Sequence, residues 1–312
     1  MTDKSEPFAH EPVMRDEVVA AFAPVPPGVV VDATVGGGGH SEALLRSRDD
    51  LSVLGIDRDE DAVQAASARL AEFGDRFHAV RGRFDELSAL APSEVSGALF
   101  DLGVSSPQLD RAERGFSYRG EGPLDMRMDT SSPWSAGDVV NGYDVDALTR
   151  VLREYGDERF ARRIAKAIVA ARPIESTTEL ATVVTAAIPA AARRTGGHPA
   201  KRTFQAIRIE VNSELEMLPT AIDAAIEATV PGGRVAVLSY HSGEDRIVKD
   251  RFRRATGACE CPPGLPCVCG AVQTVRLVRA SRRPSAAEVE ANPRAASARL
   301  RVAERVVPEE AD

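Results

Sequence analysis

The chain has 312 residues, and its 43% apolar share is enough to bury the cores of two compact units, although aromatics make up only 5%. A net charge of −8, from 39 Lys and Arg against 47 Asp and Glu, argues against a general polyanion binder. No basic and apolar leader opens the sequence. The longest small-apolar stretch, Val183–Ala192, is broken by Pro189 and is far too short to span a bilayer, so a cytoplasmic protein without membrane contact is expected.

The first element is the most informative. A β-branched run, Val29-Val30-Val31, ends in Asp32, and after Ala33-Thr34-Val35 four glycines, Gly36 to Gly39, lead through His40 into the apolar-periodic Ser41-Glu42-Ala43-Leu44-Leu45. The order is strand, glycine turn, helix start. Glycines there permit positive φ and let a ligand press on bare backbone at a helix N-terminus. A second strand, Leu51–Ile56, ends at Asp57, which lies 21 residues after Gly36. A doubly wound fold places a ribose-binding carboxylate at that spacing, although an acid there can also cap a helix. A third strand, Phe77–Val80, runs towards Arg83-Phe84-Asp85, where Phe84 is placed to meet an adenine ring. The fourth, Gly97–Phe100, ends at Asp101. Four strand ends on one sheet edge define a nucleotide-type cofactor site.

The residue types select among cofactors. The dinucleotide fingerprint G-x-G-x-x-G needs a third glycine where Ser41 stands, and no G-x-x-x-x-G-K-[ST] is present for ATP. Acids at the ends of strands one, two and four instead suit S-adenosylmethionine, whose positive methionine end asks for carboxylates more than for a phosphate cradle. Past strand four, Leu102-Gly103-Val104-Ser105-Ser106-Pro107-Gln108 is similar to the S-P-P-Y type motif of amino methyltransferases. An exocyclic amine conjugated into a base is a poor nucleophile. Accepting its hydrogen bonds and aligning it is most of the catalytic task. Carbon-5 methylation would need a cysteine nucleophile, and none lies near these strand ends. The alternative for Ser106-Pro107 is a plain helix-start turn.

About 130 residues then pass before the next convincing strand, Arg234–Leu238, after the turn Pro231-Gly232-Gly233. The stretch between reads as helices. Val145–Tyr155 has 3.6 periodicity, Asp157 can cap Glu158–Ala171, Thr177 starts a helix ending near Pro189, Pro199–Met217 forms a longer one, and Pro219–Ala228 leads back to the sheet. The expectation is an α/β protein with a Rossmann-like class I methyltransferase sheet, in residues 1–108 and 216–312, and an inserted helical substrate-recognition domain in 109–215. Strands six and seven are expected to include Ala271–Val278 and to close the sheet as an antiparallel pair.

Charge is uneven along the chain. From Leu180 to Ile209 there is no acid, while Arg193, Arg194, Lys201, Arg202 and Arg208 supply five positive charges around the loop Thr195-Gly196-Gly197-His198-Pro199. A second group, Arg246, Lys249, Arg251, Arg253 and Arg254, is moderated by Asp250. Both can neutralise RNA phosphates, whereas the ordinary alternative is a solvated helix face. His241, after strand five, sits on the same edge as Asp101 and either takes part in the chemistry, as base orienter or proton acceptor, or is a loop histidine bonded to backbone. All four cysteines fall within Cys259-x-Cys261-x5-Cys267-x-Cys269. They make either a structural zinc site or a reduced loop; no catalytic metal is expected.

Taken together, these segments resemble the RsmH (MraW) family. They are His10–Met14, Asp32–His40, Asp101–Asp110, Arg114–Tyr118, Gly122–Asp129, Tyr155–Glu158, Thr203–Ile209, Ser239–Arg246 and Asn292–Arg294. Tyr240 and Gly243 stand where Phe and Leu are expected. The resemblance implies methylation of a cytidine N4 amine near the decoding centre of 16S ribosomal RNA, with S-adenosylmethionine as donor and the small ribosomal subunit as the setting. It also implies that Gly38, Gly39, His40, Asp57, Phe84, Asp101 and Gln108 contact the cofactor. Two other readings are a DNA amino methyltransferase and a non-catalytic RNA-binding assembly factor. Whether the chain works as a homodimer is left open by the sequence.

Overall fold

The computed structural model describes residues 11–193, 197–259, 261–262, 264, 268–279 and 283–307. The expectations on His10, Arg194, Thr195, Gly196 and Cys267 lie outside the described residues. The chain divides into two units, Met1–Gly103 with Leu215–Asp312, and Val104–Glu214.

The first unit is built on seven strands: β1 (Gly28–Asp32), β2 (Leu51–Asp57), β3 (Phe77–Arg81), β4 (Val95–Asp101), β5 (Thr229–Ser239), β6 (Val275–Val278) and β7 (Arg299–Arg305). They form one sheet in the order β3-β2-β1-β4-β5-β7-β6. The first five run parallel, and β7 lies antiparallel between β5 and β6. This is the Rossmann-like, doubly wound α/β sheet expected from the sequence, with an antiparallel strand near one edge. Asp32 stands opposite Gly55 of β2 and Leu99 of β4, and Asp101 opposite Leu238 of β5. Parallel pairing in this register brings the acids that end β1, β2 and β4 to one edge.

Period-two alternation sends neighbouring residues of a strand to opposite faces. Val30 and Leu99 join Phe22, Leu44 and Leu45 in one core, while Val31 and Phe100 join Ile222 and Phe252 in the other. Each such side chain, fully buried, contributes about 1.5–3 kcal/mol. Two faces covered by helices explain why these strands read as continuous apolar runs.

The second unit is helical. Its core takes Leu148, Val151 and Leu152 from helix Val145–Glu154, Ile164 and Ile168 from Ala161–Ala170, Leu180 and Val184 from Thr177–Ala187, and Phe204 and Ile207 from Lys201–Asn212. The spacings of three and four lay one apolar stripe along each helix. The irregular segment of Gly122–Asp129 is tied down by buried Asn212, whose Oδ1 accepts from Met128 N at 2.8 Å while its Nδ2 donates to Met126 O at 2.8 Å. That satisfies backbone groups that no helix or sheet pairs.

Several expected boundaries are corrected. Asp157 does not cap a helix: it is left-handed at φ 47, and the helix starts at Ala161 once the Glu158 carboxylate has accepted from Phe160 N. The helix expected over Pro199–Met217 ends at Asn212, because Ser213 turns left-handed at φ 51. The next one, Glu214–Ala228, begins before Pro219 and holds it inside as its sixth residue, where proline cannot donate the bond to Leu215 O. β5 begins at Thr229, ahead of the Pro231-Gly232-Gly233 turn. The strand foreseen over Ala271–Val278 is confined to Val275–Val278. Among the described residues no helix is long and apolar enough to cross a membrane.

Candidate active site

The glycine turn adopts the conformation that its composition allows. Gly36 and Gly38 have φ of 50° and 78°, and Gly38 caps helix Gly39–Ser47 without a side chain. A Cβ on Gly38 would stand 3.0 Å from Leu70 Cδ1, and one on Gly39 would stand 3.3 Å from Pro12 Cγ. The turn is thus pressed against its own unit on one side, and its Gly38 N donates to Val35 O at 2.8 Å.

Asp57 reaches back to this turn. Its Oδ2 accepts from Gly36 N at 3.0 Å and its Oδ1 from Asp59 N at 2.9 Å. Helix Glu60–Arg69 is capped by Asp59, so the capping alternative for Asp57 does not hold. Burial, then the nearby charges of Asp59 and Asp32, push the Asp57 carboxyl from its ordinary 3.8 up to about 6, against the pull of its two backbone donors. Asp32, 1% exposed, is likewise raised by burial; its Oδ2 accepts from Ser41 Oγ at 2.7 Å.

Asp101 is the most elaborately held acid of this edge. Its backbone N donates to Thr34 Oγ1 at 2.6 Å, and Tyr240 donates its hydroxyl to Asp101 Oδ1 at 2.6 Å. His40 Nε2 stands 3.5 Å from Asp101 Oδ2, an ion pair if the ring is protonated. Neither ring nitrogen of buried His40 has a hydrogen-bond partner among the described residues. Burial and the Asp101 charge hold the Tyr240 phenol well above its ordinary range, so it stays a donor. Phe84 is half-buried and meets Phe100 edge-on, with centroids 6.3 Å apart.

Past β5, His241 caps helix Ser242–Ala255. Its Nδ1 accepts from Glu244 N at 3.4 Å, while the Glu244 carboxylate accepts from Tyr240 N at 2.7 Å and His241 N at 3.2 Å. This reciprocal box fixes the chain just where Tyr240 leaves the sheet. His241 Nε2 is 3.1 Å from Glu244 Oε1 but lacks the alignment of a hydrogen bond.

In the second unit, Ser106 and Pro107 open the short helix Ser106–Asp110 behind the N-cap Ser105, whose N donates to Gln108 Oε1 at 3.0 Å. Gln108 is buried. Among the basic residues, Arg193 folds onto Ile188 O at 2.7 Å, exposed Arg202 donates to Asp157 O at 2.9 Å, and Arg208 makes two bonds of 2.8 Å to the Glu214 carboxylate. Lys201 is exposed, as is Arg246 in the first unit.

The edge of the first unit therefore joins Gly38, Gly39, His40, Asp57 and Asp101, with Asp32 behind them. Sequence reasoning missed Thr34, Ser41 and Glu244 as holders of the acids and turns. It also treated Tyr240 only as a departure from the resembled family. Of these, Ser41 alone had a local signal, a hydroxyl one residue past His40 in the first turn of a helix.

This donor set fits a cationic nucleoside ligand. Three carboxylates, two of them raised by burial and mutual repulsion, favour a positive group, and the unpaired ring of His40 leaves polar capacity beside them.

Residues 7–306 match the MraW methylase family. The ribosomal RNA small subunit methyltransferase H of Saccharopolyspora erythraea is 52% identical over 311 residues, covering 95% of this chain and 93% of that protein. That of Symbiobacterium thermophilum is 51% identical over 304 residues, covering 94% and 96%. The solved rRNA methylase of Streptococcus thermophilus covers 94% of each chain, at 13% identity and a TM-score of 0.41. The chain belongs to the MraW methylase family of S-adenosylmethionine-dependent methyltransferases.

Proposed function

We propose that the chain methylates the N4 amine of a cytidine in 16S ribosomal RNA, near the decoding centre, within the small ribosomal subunit. The observation that carries this reading is Asp101, fixed by Thr34 and Tyr240 on the edge that also holds the glycine turn and Asp57. The names of relatives at about half identity over nearly the whole chain support the RNA substrate.

In this reading Asp57 accepts the ribose hydroxyls, Gly38 and Gly39 let the donor lie against backbone that carries no side chain, Phe84 packs on the adenine, and His40 and Asp101 complete the first unit's hold. Bound donor supplies an electrophilic methyl carbon. Asp101 accepts the amine's hydrogen bonds and lines it up for displacement, the task such a weak nucleophile needs, and in the second unit Ser106 and the backbone before Pro107 are acceptors of the same kind. His241 serves as the helix cap that steadies Tyr240, and thereby Asp101. Lys201, Arg202, Arg193 and Arg246 meet RNA phosphates, while Arg208, occupied by Glu214, contributes by shaping its helix.

Nucleoside mass spectrometry of ribosomal RNA from cells with and without the gene tests the reading. Loss of N4-methylcytidine from 16S RNA is expected. An unchanged nucleoside profile, or transfer of labelled methyl to duplex DNA in preference to RNA, refutes it.

A further inference from the structure

Helix Ser242–Ala255 and β6 are joined by a loop closed at its base, where Thr256 bridges Gln273 and Thr274 N donates to Ala255 O at 2.8 Å. Beyond that base the described residues show nothing apolar to hold the tip together. Val268 is 87% exposed and Val272 53%. A loop without a core needs another tie.

Three cysteines supply one. The sulfurs of Cys259, Cys261 and Cys269 all lie within 4.8 Å of one another. Cys259 Sγ and Cys269 Sγ are 3.8 Å apart, too far for a disulfide. Zinc–sulfur bonds of about 2.3 Å set the edge of a thiolate tetrahedron at about 3.8 Å, the same separation. Two backbone donors point at the sulfurs, Cys261 N at 3.4 Å from Cys259 Sγ and Val268 N at 3.3 Å from Cys261 Sγ. N–H groups on sulfur favour thiolate over thiol and orient it as a ligand.

We propose that Cys259, Cys261 and Cys269 form a structural site for a soft, tetrahedral divalent cation, zinc foremost, that staples the tip of this loop. Binding converts the three thiols to thiolates and releases up to three protons to solvent, with no change of oxidation state. Three soft ligands select zinc over magnesium or calcium, which take oxygen. They leave one corner for a ligand outside the set; Cys267 lies outside the described residues and is not counted in it. The site is independent of the methylation reading, because no residue of it touches the carboxyl edge of the sheet.

The test uses the full chain without an affinity tag, reduced and dialysed against metal-free buffer, with zinc chloride as the probe. One zinc per chain is expected by elemental mass spectrometry, and cobalt substitution is expected to give strong thiolate-to-metal absorption. Zinc should slow thiol modification of the native chain at least about tenfold, and the double variant Cys259→Ser, Cys269→Ser should lose zinc affinity by at least about tenfold. The proposal is overturned if the native thiols react equally fast with and without zinc, or if the double variant keeps its metal. The thiol assay and the cobalt spectrum are read on the native chain, so they decide the matter even if the variant folds poorly.

Discussion

Replacing Asp57 with Asn separates the electrostatic cost of the site from its use. The carboxyl titrates at about 6 in the fold and at 3.8 when the chain is open to solvent. Above 3.8 the unfolded chain gives up this proton while the folded one keeps it, so raising pH favours unfolding until the folded group has also ionised, past about 6. The gap corresponds to at most about 3 kcal/mol of stability, fully present below 3.8 and gone above 6. Asn cannot ionise, and it also leaves one of the two backbone donors, Gly36 N or Asp59 N, facing an amide nitrogen. That loss is about 1–3 kcal/mol but does not vary with pH. It therefore cancels when the native chain and the variant are compared at two pH values. Urea unfolding without ligand at about pH 4.5 and about pH 7.5 should show the variant gaining roughly 2 kcal/mol relative to the native chain across that interval. Calorimetry should show donor affinity falling sharply in the variant at both. A stability difference that stays flat with pH refutes the assignment of a raised carboxyl, and unchanged donor affinity refutes its role at the ribose.

Other substitutions test the rest of the edge. Gly38→Ala forces a side chain into a left-handed turn and against Leu70, and should cost about 1–3 kcal/mol in thermal unfolding. Gly36→Ala, whose added carbon meets only Thr34 O at 3.9 Å, should cost about 1 kcal/mol, the strain alone. Tyr240→Phe removes the donor to Asp101, which water can partly replace, and should lower stability by about 1 kcal/mol with a larger effect on kcat than on donor Kd. His241→Asn retains a good helix cap and should keep kcat within a few-fold, whereas His241→Ala should lose about 1 kcal/mol of stability by denaturant unfolding. Reversing Lys201 and Arg202 to Glu should weaken RNA binding and flatten its salt dependence, read by filter binding at several ionic strengths.

Much of this edge was legible because its signals are local. Val29 to Val31 can hardly be anything but a buried strand, and four glycines before an amphipathic helix admit few geometries. That Asp32, Asp57 and Asp101, each at a strand end, share one edge then follows from parallel pairing. Less could be read where a role depends on a distant partner. Tyr240 and Asp101 are 139 residues apart in sequence, and nothing near either one announces the bond. Strand β7, Arg299–Arg305, carries an alternation with Leu300 and Val302 inward, but its charges disguise it. They are neutralised only in the fold, Arg301 by Asp245 and Glu304 by Arg234 and Arg276. Helix limits at Ser213 and Asp157 failed for a related reason, since left-handed turns at non-glycine residues leave little trace in composition.

The acid-lined edge also bears on turnover. The Asp101 charge raises the cost of ionising Asp32, and the Asp32 charge that of ionising Asp57, so negative charges crowd this edge. A sulfonium relieves that repulsion on arrival; a neutral thioether, left after the methyl has gone, does not. The same three carboxylates therefore favour the charged donor over the spent molecule.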